Sequence, residues 1–325
     1  MLNPAPNHYT LLADIGGTNT RVALAEGNRL VPQSVARFPN QGRTSLEEIL
    51  REYMITEGVT DLTGACVAVA GPVAVDGQSA RMTNLDWTIN AGSLAEVTKA
   101  EKISVLNDLQ AQGHALGTLD RDNLRPVLAG MPPPPGASSL VVGVGTGFNA
   151  APVHEGPGGR VVAASECGHI TMPVISDEDL ALKRYFEQKH RYASVEHACA
   201  GRGLERIYAF VTGKESVEET GEEILALMHA DNPDAMRAAT IFTRLLGIVA
   251  GDLALTHLPF GGIYLIGGAA RAIEPWLDRL QFEQAFTDKG KFSEMMRQFP
   301  IYVVNDDYAA LAGCAAHLAA RIARE

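Results

Sequence analysis

Three apolar stretches of this chain run straight into glycine, and no other feature constrains its fold as much. Tyr9 to Ile15 stops at Gly16-Gly17, Leu140 to Val144 at Gly145-Thr146-Gly147, and Ile263 to Ile266 at Gly267-Gly268. Apolar runs this short, closed by turn residues, read as buried strands. Thr20 to Ala25 and Phe148 to Val153 resume as strands just beyond the first two, so each is a hairpin with a glycine-rich tip. With no Cβ at such a tip, backbone N–H groups can approach a phosphate. An ordinary tight turn is the alternative for any one of them, but three in one chain favour a nucleotide site.

Helical patterns fall between the strands. Thr44-Ser45-Leu46-Glu47-Glu48 offers overlapping capping boxes, as does Ser93-Leu94-Ala95-Glu96, with a core strand from Ala65 to Ala70 between them. A further strand, Ile103 to Leu106, is delivered by Asn107-Asp108 into a helix from Leu109 to Leu116. Ala239, Phe242, Leu246, Val249 and Leu253 recur at helical spacing, which predicts a long core helix over Asp234 to Leu258. Alternation of this kind is the α/β signature. The four prolines of Gly130 to Gly136 forbid helix there and mark a connector. Two internal echoes suggest duplicated halves: D-I-G-G-T at Asp14 to Thr18 against G-V-G-T-G at Gly143 to Gly147, and Val105-Leu106-Asn107-Asp108 against Val303-Val304-Asn305-Asp306. A length of 325 residues fits two domains.

Composition narrows the partners. A formal net charge of −11 repels a nucleic-acid backbone, so nucleic acid is not an expected partner. The four cysteines, Cys66, Cys167, Cys199 and Cys314, form no C-x-x-C pair and fit a reducing compartment. Met1 to Thr10 lacks the order of a signal peptide, and no uninterrupted apolar run reaches membrane-spanning length, so the expectation is a cytoplasmic protein with no membrane partner.

Several residues could carry chemistry. Asp14 sits on an otherwise apolar strand beside the first glycine tip, where it reads as a group facing phosphate and magnesium or as a turn aspartate bonded to its own backbone. Asn107 and Asp108 read equally as helix caps and as site residues, and Asp306 shares their local context. Glu166 and His169, in Ser165-Glu166-Cys167-Gly168-His169, form a polar wall for a ligand or a solvated loop. No second His or Cys stands at metal-ligand spacing. A P-loop is absent, because Gly213-Lys214 and Gly290-Lys291 continue with Glu215 and Phe292. A dinucleotide fingerprint from Gly143 would need glycine where Phe148 stands.

Taken in order, Asp14-Ile15-Gly16-Gly17-Thr18-Asn19, Leu106-Asn107-Asp108, Gly145-Thr146-Gly147, Glu166-Cys167-Gly168-His169 and Ile266-Gly267-Gly268 resemble the bacterial glucokinase family across almost the whole chain. D-I-G-G-T alone is shared across the hexokinase and actin-like ATPase superfamily, whereas the ordered set is specific. The resemblance implies two RNase H-like α/β domains around a central cleft, residues 1–117 with 305–325 and residues 118–304, the first closed by a C-terminal helix. It implies ATP and Mg²⁺ as cofactors, glucose or a similar hexose as substrate, and a homodimer. Ala13, Asp14, Ile15, Gly16, Gly17, Thr18, Asn19, Gly145, Thr146, Gly147, Gly267 and Gly268 would face the nucleotide, with Asp14 acting on magnesium through water. Asn107, Asp108, Glu166, His169 and Glu196 would bind the sugar, with Asp108 rather than Asp306 as the base. Two positions depart from the family pattern: Cys167 replaces a small residue, and Asn149 stands where glycine is common. A kinase for another hexose or an amino sugar, and a non-catalytic sugar sensor, are the rival functions. The related repressor and kinase family called ROK is a further rival, but its cysteine-rich zinc motif is absent here.

Overall fold

A computed structural model describes residues 8–157 and 159–324; the expectation for the opening stretch falls outside these as far as Asn7. The chain divides into two compact units, Met1–Asp120 with Gly159–Val162 and Asp306–Glu325, and Arg121–Gly158 with Ala163–Asn305.

In the first unit, strand Thr10–Ile15 runs antiparallel to Asn19–Glu26 and parallel to Gly64–Val69, which in turn pairs in parallel with Lys102–Asn107. Arg29–Leu30 and Ala36–Pro39 pair with the outer side of Asn19–Glu26. Strand Gly64–Val69 is buried along its whole length because both faces of the sheet are covered. Leu11, Ala13 and Ile15 pack with Leu46, Ile49, Leu50 and Leu94 of helices Leu46–Glu57 and Ala91–Thr98. Leu12, Cys66 and Ala68 pack on the other face against Ala111, Leu311, Cys314 and Leu318 of helices Asp108–Ala115 and Ala309–Ile322. Strand alternation therefore sets Asp14 on the Leu12 face. The last two helices meet through small residues, so closely that a Cβ on Gly313 would lie 1.7 Å from the Ala111 carbonyl oxygen.

Two of the expected caps are built differently. Ser45 precedes helix Leu46–Glu57 but makes no side-chain cap bond; instead Glu48 accepts from the Thr44 N–H at 3.1 Å. The next helix starts at Ala91, two residues before the expected Ser93, because the Asn90 side chain takes the N–H groups of Gly92 and Ser93. Asn in extended backbone just before the helix is the better acceptor for those two donors.

The second unit repeats the opening order. Ser139–Val144 pairs antiparallel with Phe148–Gly156 and parallel with Ile263–Ile266, followed by Ile301–Val304 and the antiparallel Leu124–Leu128. The expected long helix spans Pro233–His257, with Asn232 capping Asp234 and Ala235, Pro233 in the first turn and Leu258 in the left-handed region at its end. Its apolar face packs with Phe282, Phe286 and Leu204. By length and composition, with mean hydropathy 1.6, this helix could cross a membrane, but 78% of that window is buried inside the protein.

Candidate active site

The first unit presents one glycine tip and one pair of polar strand-end residues. Asp14 lies opposite Arg21 in the antiparallel register, and the Arg21 guanidinium reaches its Oδ2 at 3.3 Å. Burial pushes the Asp14 carboxyl up from the ordinary range, and Arg21 offsets this only in part. Gly16 donates to the Asn19 carbonyl at 3.0 Å to close the tip. The buried Asn40 then holds it from outside. Its Nδ2 donates to the Gly16 carbonyl at 2.8 Å, its N–H to the Thr18 carbonyl at 2.9 Å, and its Oδ1 accepts from the Thr20 hydroxyl at 2.8 Å. Gly17 and Thr18 are exposed at the end of this braced turn. A Cβ on Gly17 would touch only the Asn84 side chain, at an ordinary 3.5 Å, so internal packing does not account for glycine there.

Ala13 and Ile15, expected on the nucleotide side, are fully buried, and the ladder engages both on either side. Their side chains face the core, and they fix the positions of Asp14 and Gly16.

Asn107 ends strand Lys102–Asn107 and caps helix Asp108–Ala115. Its Oδ1 accepts from the Leu109 N–H at 2.9 Å, Gln110 returns a bond to the Asn107 N–H at 3.1 Å, and its Nδ2 donates to the Gly71 carbonyl at 3.3 Å. The cap is thus Asn107, and Asp108 is the first residue of the helix, with Oδ1 2.9 Å from the Leu109 N–H. The positive end of the helix favours a negative charge at that position.

The second unit gathers the remaining candidates. Gly145 donates to the Gly147 carbonyl at 3.0 Å and accepts from Gly201 at 2.7 Å. Gly267, just past the next strand, has φ +116°, where a side chain is strained, and a Cβ there would lie 2.5 Å from the Val144 carbonyl oxygen. The second and third glycine tips are therefore neighbours. Nothing stands within 4 Å of a Cβ placed on Gly145 or Gly268, which leaves both open to a ligand.

Glu166 and His169 are exposed at the two ends of a short helical turn, Cys167–His169, closed by the His169 N–H on the Glu166 carbonyl at 3.0 Å. The turn lies hard against the strand: a Cβ on Gly168 would fall 1.9 Å from the Phe148 carbonyl oxygen. Helix Val195–Cys199 carries Glu196, whose Oε2 accepts from the Phe148 N–H at 3.0 Å and stands 2.7 Å from where a Cβ on Gly147 would be. The Val195 N–H donates to the Ile170 carbonyl at 3.0 Å, tying the two segments together. Glu166, His169, Glu196 and Gly147 thus converge on Phe148. Beside them His197 stacks on His190 at 4.0 Å, and burial, then nearby positive charge, lowers its pKa to about 4.

Asn40 in the first unit and Ser165 in the second escape a reading of the sequence. A lone Asn or Ser in a loop carries no pattern; its importance lies in which distant backbone groups it meets.

Glycine tips that internal packing does not explain, set beside carboxylates without a P-loop, fit the class of sugar kinases. A sequence model of glucokinase matches residues 11–321, and the chain belongs to the glucokinase family. It is similar to the glucokinase of Neisseria gonorrhoeae, with 31% identity over 98% of each chain. Among solved structures it resembles a glucokinase from an Antarctic psychrotroph at TM-score 0.84 and 30% identity, covering 96% of this chain and 98% of that one. The glucokinase of Balamuthia mandrillaris in complex with glucose shares the fold at TM-score 0.77 and 22% identity, over 96% and 93% of the two chains.

Proposed function

We propose that this chain moves the γ-phosphoryl group of ATP to the 6-hydroxyl of glucose, giving glucose 6-phosphate, with Asp108 as the general base. It is an ATP-dependent glucose-phosphorylating enzyme, and the observation that carries this is the glucokinase match over nearly its whole length. In this reading the two units are RNase H-like domains of the actin-like ATPase kind. Phosphoryl transfer asks a protein chiefly to position two substrates and to stabilise charge. The open tips at Gly17, Gly145 and Gly268 offer backbone N–H groups to the phosphates. Asn107, Glu166, His169 and Glu196 hold the sugar hydroxyls, and Asp108 orients the attacking hydroxyl and takes its proton. Exclusion of water limits wasteful hydrolysis of ATP.

Mg²⁺, bound with ATP, neutralises charge on the phosphates. Asp14 fits a partner that acts through water: it is a largely buried carboxylate with one ion pair at 3.3 Å, and burial leaves its charge incompletely compensated. Among the described residues no three His, Cys, Asp or Glu side chains gather as a cage. Magnesium keeps most of its waters and takes one or two carboxylates plus phosphate oxygens, so a single carboxylate acting through water is within its usual coordination. The reading extends to a cytoplasmic homodimer without nucleic-acid or membrane partners, in keeping with the net charge of −11.

A sugar panel read by coupled ADP release tests the assignment. Glucose is expected to give the highest kcat/KM. A higher value for mannose or an amino sugar would overturn the substrate alone, and no ADP with any sugar would leave a sensor.

A further inference from the structure

The strand residue after Phe148 does more than continue the hairpin. Asn149 lies opposite Gly143 in the ladder, and its side chain spans the backbone on both sides of Glu166. Nδ2 donates to the Ser165 carbonyl at 2.5 Å, and Oδ1 accepts from the Cys167 N–H at 3.1 Å. Those partners fix the orientation of the carboxamide, since a backbone carbonyl can only accept and a backbone N–H can only donate. The Cys167 sulfur lies 3.5 Å from the same Oδ1, so the two positions that depart from the glucokinase pattern are in contact. Ser165 adds a second tie through its hydroxyl to the Ala150 carbonyl at 2.6 Å.

We propose that Asn149 is a positioning residue for sugar selection: its carboxamide clamps the backbone around Glu166 and so sets where Glu166 and His169 stand. The proposal rests on the reading that these two side chains meet the sugar. Three observations converge on it. Glu166 is exposed, and among the described residues no hydrogen bond anchors its side chain, so its place is set by its backbone. The turn beyond it is pressed on Phe148 at Gly168, which fixes one end, and the Asn149 bonds fix the other. Glycine or alanine at 149 would leave the Ser165 carbonyl and the Cys167 N–H to water, with only the Ser165 hydroxyl bond to Ala150 holding that end of the turn. Because Glu196 is keyed to the Phe148 N–H, two consecutive strand residues align all three candidate sugar groups just beyond the Gly145 to Gly147 tip.

The test compares Asn149→Ala, Asn149→Asp, Glu166→Ala and the double variant Asn149→Ala with Glu166→Ala in the full-length chain. Asn149→Asp keeps the shape and the acceptor for Cys167 but turns an oxygen toward the Ser165 carbonyl, and it carries the test if the alanine variant does not fold. Glucose KM is expected to rise about tenfold in each Asn149 variant, the effect of about one lost hydrogen bond, while ATP KM stays within about twofold. The double variant should lose less than the two single losses combined, because part of what Asn149 does is done through Glu166. Additive losses would overturn the clamp, as would parallel loss of glucose and ATP affinity with a lowered Tm. If Glu166→Ala raises glucose KM and the Asn149 variants do not, the clamp falls and the sugar wall stands. If neither does, both fall.

Discussion

Two strand ends in this molecule carry the same Asn-Asp pair and differ in the junction beyond it. After Asn107 the helix begins at once with Asp108, capped by the Asn107 amide and by Gln110 in return. After Asn305 the chain first makes a turn in which Asp306 Oδ1 accepts from the Tyr308 N–H at 2.8 Å, and helix Ala309–Ile322 starts without a side-chain cap. One carboxylate stands in the first turn of a helix and the other is engaged in a local loop. The lesson is that the pair of residue types does not assign a role; the geometry of the strand-to-helix junction does. The two helices that grow from these junctions then pack on each other, with His317 Nδ1 3.2 Å from His114 Nε2.

The two junctions should part most sharply at their carboxylates. Asp108→Asn should lower kcat by at least about 10²-fold with glucose binding retained, whereas Asp306→Asn should stay within about threefold of the parent. Steady-state kinetics on both variants decide it, and equal losses would erase the distinction.

A smaller effect is expected at the first glycine tip. Gly17→Val should weaken ATP by about tenfold or more and leave glucose KM within about twofold, because a Cβ there stands at ordinary contact distance from Asn84 while a branched side chain crowds the phosphate and stiffens the turn. Calorimetry showing unchanged nucleotide affinity in the folded variant would remove Gly17 from the phosphate site.

Glu166→Ala should erode the preference for glucose over galactose by about 5- to 100-fold, since an epimer strands a polar group that the parent satisfies. A preserved ratio of the two kcat/KM values would place Glu166 outside the sugar contacts.

The smallest effect belongs to the histidine pair between the two helices. Burial, followed by neighbouring positive charge, lowers His114 to about 3 and His317 to about 4. As pH falls below the ordinary histidine range near 6.5, the unfolded chain takes up protons that the folded chain refuses, so stability is greatest above that range and declines toward pH 4. Thermal unfolding should show Tm dropping by several degrees between pH 7 and 5, and His317→Asn should flatten the slope. An unchanged slope in that variant would acquit the pair.

The strands and both hairpins are legible in the sequence because glycine interrupts apolar runs at their ends, a signal that is local and strong. The long helix is legible from its period, with Pro233 and Asn232 marking its start. Caps are less so: Ser45 occupies its junction without making a cap bond, Asn90 takes the place expected of Ser93, and a small difference in where the backbone turns helical decides which side chain can reach. Asp14, Glu166 and His169 stand out as polar residues in telling places. Ala13 and Ile15 come along with their motif, and only strand alternation shows that they face the core. The bracing by Asn40 and Asn149 spans separations in sequence that no local pattern encodes.

The last helix of the chain covers a face of the first unit's sheet, and that has a consequence for how the protein is made. Leu12, Cys66 and Ala68 leave the ribosome early, yet Leu311, Cys314 and Leu318, which shield them, come last. At about 5–20 residues per second the gap between Asp120 and Ala309 lasts on the order of ten to forty seconds. Throughout that interval, in which the second unit receives the bulk of its own chain, that face of the first unit's sheet has only helix Asp108–Ala115 to cover it. A chain ending before Ala309 should bind a hydrophobic dye that the full chain ignores, and the same face makes the unfinished protein a natural client for chaperones.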